Sequence, residues 1–332
     1  MGTASMSWAG WLPPGPFVHA LDPVLGHIGG VYLWWYGLSY SLGFLGLFGW
    51  LRASRRRLGL DAAAVYELTT LVAGGILIGG RTVEVLVYEW PFFRGHLGHA
   101  VQYWRGGMAS HGLLLGGCVG AWLFCRWRRR PFLPVADALT IPGALLLALG
   151  RLGNFVDGQI VGSVTTAWWA VRFPDAEGFR HPVVLYEALK NLLLVPIFLA
   201  GRSRRPPPGR LLGHFVLWYG ALRIPVDWFR EYPTAVLGLG TGQWLNVATA
   251  LIGAALLVAL GRRPAGAASG PAATPPAPAR ARRLMAWRLA LAALVLFPLV
   301  IPSDWTQDVP ARYGKRHPIA ESRLYRDPGP AR

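Results

Sequence analysis

Arginines in this chain arrive in bursts, and each burst closes a long apolar run. Arg52, Arg55, Arg56 and Arg57 end one run, Arg126, Arg128, Arg129 and Arg130 a second, and Arg202, Arg204, Arg205 and Arg210 a third. About 20 apolar residues cross a bilayer as a helix, and cytoplasmic loops retain Lys and Arg. Charge-free stretches predict helices over 31–51, 61–80 (interrupted by Glu67), 106–125, 133–150, 183–201, 211–229, within 232–261, and over 284–301. With the bursts after the first, third, fifth and seventh of these, every basic loop falls on one side. The expected fold is all-α: a polytopic integral membrane protein of seven core transmembrane helices plus one extra C-terminal helix, with its N-terminus outside.

Composition agrees where it bears on this. Only 15% of the 332 residues are Asp, Glu, Lys or Arg, against roughly 25% in a soluble domain. The 42 Gly and 16 Trp suit membrane helices and their interfaces. A net charge of +17 invites a nucleic-acid partner, but the basic residues follow membrane spans and do not form a binding stripe, so none is expected. The N-terminus has no Lys or Arg ahead of its first apolar segment, unlike a cleaved signal peptide. Cys118 and Cys125 lie seven apart in one run, too far along a helix for a disulfide, and read as small apolar core residues. Trp34, Trp50, Trp168 and Trp169 read as interface anchors. The expected division is a core over 1–262, an Ala/Pro-rich cytoplasmic linker over 263–283, the extra helix over 284–302 and an outer tail over 303–332.

Charges within spans are costly and mark functional positions. Here they gather at helix ends that share one side: Arg81 and Glu84, then Arg151, then Arg223, Asp227 and Arg230. The last three are spaced to share one helix face. Several guanidinium groups at one depth suit a phosphate, whose oxygens match the planar Arg fork. A structural ion-pair network is the competing reading, above all for Asp227. The densest stretch, from Gly150 to Gly162, combines glycines with Arg151, Asn154, Asp157 and Gln159, and reads as a polar loop at a helix end that a ligand approaches closely.

At these residues the chain resembles the prolipoprotein diacylglyceryl transferases of bacterial inner membranes. Gly150, Arg151, Gly153, Asn154, Phe155 and Gly162 fall in register with that family's signature. Trp35-Tyr36-Gly37 with Gly43-Phe44, Ser110-His111-Gly112, Arg180-His181-Pro182 with Leu185-Tyr186-Glu187, Arg223 to Arg230, and Gly242-Gln243-Trp244 match further motifs in order, over about 32–260. Four positions depart from the pattern: Asp157 stands for Asn, Gln159 for Glu, Leu113 for Gly and Asp227 for Glu.

The resemblance implies transfer of the diacylglyceryl group of phosphatidylglycerol to the lipobox Cys thiol of prolipoproteins, on the periplasmic face. It implies His111, Arg151, Arg223 and Tyr36 as catalytic residues. It implies Arg151, Asn154, Gly153, Gly162, Asp157, Gln159, Asp227 and Arg230 as the phospholipid-binding set. His111 has a competing reading as a core histidine that orients helices, and Tyr36 as an interface aromatic. Glu187 and His181 read as braces of the outer loops. No metal site and no cofactor are read from the sequence. Gln159 and Leu113 also motivate a catalytically impaired paralogue that binds lipid or precursor without turnover, and a small lipid transporter is the third reading.

Overall fold

A computed structural model describes residues 16–174, 176–230, 238–261 and 281–303. Almost all of the linker and the tail beyond Ser303 therefore lie outside the described residues, as does the start of the run from 232. The described chain is mostly helix. β1 (Phe17–Val18) leads to a hairpin of β2 (Val24–Ile28) and β3 (Val31–Trp34). Then follow α1 (Trp35–Ser54), α2 (Ala62–Val83), a π-helical turn over Glu84–Tyr88, and the short α3 (Trp90–Phe93). Next come α4 (Ser110–Trp127), α5 (Phe132–Val156), β4 (Val171–Arg172), which pairs in parallel with β1, and α6 (Val183–Ser203). The chain continues through α7 (Arg210–Asp227), α8 (Thr241–Gly261) and α9 (Ala281–Leu296), which runs into a 3₁₀ turn at Phe297–Val300.

Five helices among the described residues are long and apolar enough to cross a membrane: Ala62–Tyr88, Phe132–Val156, Val183–Ser203, Thr241–Gly261 and Arg282–Val300. Only 11% of the apolar window is buried in the spans carrying α8 and α9. Apolar faces left so open are a liability in water and at ease in hydrocarbon.

Element boundaries differ from expectation for local reasons. The first helix does not begin at 31. Val31–Trp34 is rich in β-formers and pairs antiparallel with β2, joined by Gly29 and Gly30 at φ 58° and 83°, the positive values a two-residue hairpin turn requires. Trp34 is accordingly fully buried with Val24 and Tyr32 instead of anchoring an interface. Trp168 and Trp169 are exposed, as an interface position requires. The helix expected from 106 starts at Ser110, because Gly106 and Gly107 hold φ of 80° and 81°. His111 is thus in the first turn of α4 and not several residues inside it. Of the two cysteines, Cys125 is buried and Cys118 is exposed.

The largest correction is at α5. The polar stretch read as a loop from Gly150 is still helix to Val156, so Arg151, Gly153 and Asn154 ride on its last turns. The polar side chains are tolerated there because each finds partners inside the bundle. The loop proper begins at Asp157 and turns at Gly158, φ 68°.

Packing of α2 on α4 explains how the chain fixes Ser110 and His111. Gly75 and Gly79 of α2 face Gly112, Gly116 and Gly120 of α4. A Cβ on Gly79 would lie 2.7 Å from the Gly116 Cα, and one on Gly112 would lie 2.9 Å from the Gly80 Cα. Small residues every fourth position let two helix backbones touch, the usual route to tight packing in lipid.

Candidate active site

Tyr36, Ser110, Glu187 and Gly242, near the starts of α1, α4, α6 and α8, meet Arg151 and Asn154 near the end of α5 and Arg223 and Arg230 at and beyond the end of α7. They surround a cavity of about 330 Å³ whose lining includes Tyr36, His111, Arg151, Asn154, Arg223 and Arg230. Glu84, Glu89 and Ser303 contribute further polar wall.

Glu187, on the second turn of α6, organises the cationic side. It is 1% exposed. Its Oε2 accepts from Arg151 Nε at 2.5 Å and from an Arg223 guanidinium nitrogen. Its Oε1 lies 3.8 Å from Arg230. Asp227 adds a second carboxylate, 3.8 Å from Arg223 and 3.9 Å from Arg230. Three guanidiniums against two carboxylates leave one positive charge in excess before the buried Lys190 is counted; Lys190 stands 4.3 Å from the Tyr219 ring centroid. Buried charges are sustained by partners of this kind, and the local surplus favours an anion beside Arg151, Arg223 and Arg230.

A second chain of hydrogen bonds orients the histidine. Asn246 Nδ2 donates to Asp227 Oδ2 at 2.6 Å, which turns its Oδ1 toward His111. His111 Nε2 lies 3.1 Å from that oxygen. An amide oxygen only accepts, so Nε2 carries the proton and Nδ1 keeps the lone pair of the neutral ring. Tyr36 and Tyr40 share a hydroxyl hydrogen bond of 2.8 Å beside the cavity. Arg151 also donates to Ser110 Oγ at 2.6 Å and to Asn154 Oδ1 at 3.2 Å.

The sequence-derived residues divide under this geometry. His111, Tyr36, Arg151, Asn154, Arg223 and Arg230 converge on the cavity. Asp227 lies behind, braced by Arg223 and Asn246. Asp157 and Gln159 are buried beside it without joining the lining named above, Gln159 donating to the Asp157 carbonyl at 3.4 Å. Gly153 serves packing: its Cβ would lie 2.9 Å from the Tyr36 Cα. Gly162 likewise: a Cβ there would meet His181 O at 2.6 Å and Phe229 O at 2.7 Å.

Arg81 does not join the arginine set. It is buried at the end of α2 and donates to the carbonyls of His99, Ala100, Gln102, Gly106 and Gly107, stitching the 97–107 segment to the bundle. His181 stands outside the cavity lining named above. Burial pushes its imidazole below the ordinary histidine range, and its Nδ1 is 3.0 Å from the Tyr186 hydroxyl. Glu187 is not a brace of outer loops. Its signal in the sequence is an acidic residue one turn inside an apolar helix, a costly placement without cationic partners. Asn246 and Ser303 also belong to the site, and nothing in their local sequence marks them.

Residues 23–259 match the family model described as prolipoprotein diacylglyceryl transferase. Phosphatidylglycerol–prolipoprotein diacylglyceryl transferase from Geobacter sulfurreducens is 36% identical over 255 residues, covering 74% of this chain and 98% of the relative. The enzyme of that name from Methylibium petroleiphilum is 38% identical over 258 residues, covering 73% and 97% respectively. That from Cupriavidus pinatubonensis is 37% identical over 257 residues, covering 74% and 93%.

Proposed function

The chain belongs to the prolipoprotein diacylglyceryl transferase family, and from that premise we propose that it transfers the diacylglyceryl group of phosphatidylglycerol to the lipobox Cys thiol of a prolipoprotein. A carbon–sulfur bond forms at the glyceryl carbon, the carbon–oxygen bond to phosphate breaks, and glycerol phosphate leaves with the electron pair. The observation that carries this reading is one cavity walled by three arginines around Glu187, with His111 in its lining.

Thiolate is the nucleophile, and a free thiol has a pKa of about 8.5. His111 Nδ1 takes the thiol proton as the sulfur attacks. The phosphodiester enters as a monoanion and leaves as a monoester that gains charge. Arg151 and Arg223 hold it more strongly as that charge grows, which lowers the barrier. Arg230 adds a third cation, Asn154 hydrogen-bonds lipid oxygens, and the Tyr36 hydroxyl faces the same space. Glu187 keeps the arginines fixed in low dielectric so that they need not reorganise during the step.

The departures from the family pattern are compatible with turnover. Gln159 is off the cavity lining, and Asp227 keeps its charge and its two arginine contacts. Leu113 adds an apolar wall. All the arginines of the set lie at one end of the bundle, which disfavours a transport path. The protein is an integral membrane enzyme; we read it as an inner-membrane one of seven core helices plus α9, N-terminus outside, with the cavity toward the periplasm. The arginine bursts at the far ends of α1, α4 and α6 support that orientation.

Purified protein in phosphatidylglycerol-containing micelles, given a lipobox peptide, should yield a diacylglyceryl adduct on the Cys by mass spectrometry. His111→Ala should lower the rate by about 10² to 10⁴, the usual share of a general base. No adduct from a chain that still binds the lipid would sink the transferase reading in favour of a binding-only paralogue.

A further inference from the structure

The family match ends at residue 259, yet the chain continues into α9 and doubles back to the site. Three sets of contacts fasten this extension along α1 and α2. At its start, Arg283 Nε lies 3.5 Å from the buried Glu67, and the Trp287 ring is 5.9 Å from that of Trp127. Near its end, Ser41 Oγ donates to the Val295 carbonyl at 2.6 Å. The 3₁₀ turn then presses on α1 where Gly37 lacks a side chain: a Cβ there would lie 2.8 Å from the Leu299 Cα and would strike the Pro298 carbonyl oxygen. Ile301 is fully buried and Ser303 is 5% exposed.

Ser303 is the first residue of the extension to reach the cavity. Asn154 Nδ2 donates to its hydroxyl at 2.7 Å, and its own N–H donates to Asp157 Oδ2 at 3.0 Å. Asp157, which receives the extension, is one of the positions that depart from the family motif. Arg151 can only donate, so Asn154 turns Oδ1 toward it and Nδ2 toward Ser303, whose hydroxyl accepts and holds the amide in place. A hydroxyl that accepts one hydrogen bond still has its own proton to donate, and Ser303 lines the cavity.

We propose that Ser303, carried on a segment outside the family-matched region, is a positioning residue of the phosphatidylglycerol site. It locks the Asn154 amide and offers its hydroxyl to the headgroup, so the site of this chain is completed by its own C-terminal extension. The inference rests on the transferase reading for the identity of the lipid, and its test separates the two.

Phosphatidylglycerol is titrated into the full-length protein in detergent, for wild type, Ser303→Ala and Ser303→Thr, with bound lipid read by native mass spectrometry and adduct formation followed in parallel. Loss of one neutral hydrogen bond should weaken lipid affinity about fivefold in Ser303→Ala, and Ser303→Thr should restore it. Gly37→Val, which pushes the 3₁₀ turn away, should weaken affinity similarly, and combining it with Ser303→Ala should add nothing further. Unchanged affinity in Ser303→Ala, no recovery in Ser303→Thr, or simple additivity with Gly37→Val overturns the proposal. A wild type that binds the lipid yet forms no adduct removes the transferase reading while the Ser303 result stands. A wild type that binds no phosphatidylglycerol removes both.

Discussion

Among the described residues two glutamates are buried, and they make different things of the same chemistry. Glu67, near the start of α2, is fully buried and meets Arg128 Nε at 2.6 Å, with Arg283 at 3.5 Å. Glu187, near the start of α6, is as well buried and meets Arg151, Arg223 and Arg230. Around Glu67 the cations come from a helix end and from the extension, and Arg283 is 46% exposed. That cluster ties α2 to α4 and α9. Around Glu187 the cations sit within the bundle and open on a cavity. A buried carboxylate with an arginine partner is thus a brace by default. Cations that line a cavity with room for a ligand are what turn it into a site.

The sharpest way to break this contrast is Glu187→Ala, which leaves Arg151, Arg223 and Arg230 short of a carboxylate. We expect a loss of about 3–5 kcal/mol in stability, read as a fall in Tm, together with no detectable adduct. A stable, active Glu187→Ala would refute its organising role. Arg151→Ala comes next. The fold should persist, because Glu187 retains Arg223, while kcat falls about 10² to 10³, as when one preorganised donor to a developing anion is lost. Equal falls in Arg151→Ala and Arg151→Lys would mean that the bidentate fork, and not charge alone, is needed. The smallest effect belongs to the other end. Glu67→Gln should lower stability by about 1–3 kcal/mol through a weakened buried hydrogen bond and leave adduct formation per folded molecule as in wild type. A selective loss of turnover there would show that α9 transmits strain from Glu67 to Ser303.

Much of the site is legible in the amino-acid sequence. Arg151, Asn154, Arg223 and His111 are polar residues at the ends of apolar runs, where their placement has a cost and therefore a reason. Glu187 is visible in its motif but reads there as a brace, since its importance depends on arginines from α5 and α7 and the loop beyond arriving at one point. Arg81 shows the converse. It too lies near the end of an apolar helix, yet loop carbonyls accept from it.

By itself the sequence determined the alternation of apolar runs and arginine bursts, hence a membrane bundle with its polar residues at one end. Those are consequences of transfer energies along the chain, which each segment settles for itself. The helical continuation through Arg151 and Asn154 and the return of Ser303 to the cavity were decided only in the tertiary structure. Each depends on partners distant in sequence: Ser110 and Glu187 for Arg151, and Asn154 and Asp157 for Ser303. A hydrogen bond between residues 149 apart leaves no local trace in either segment.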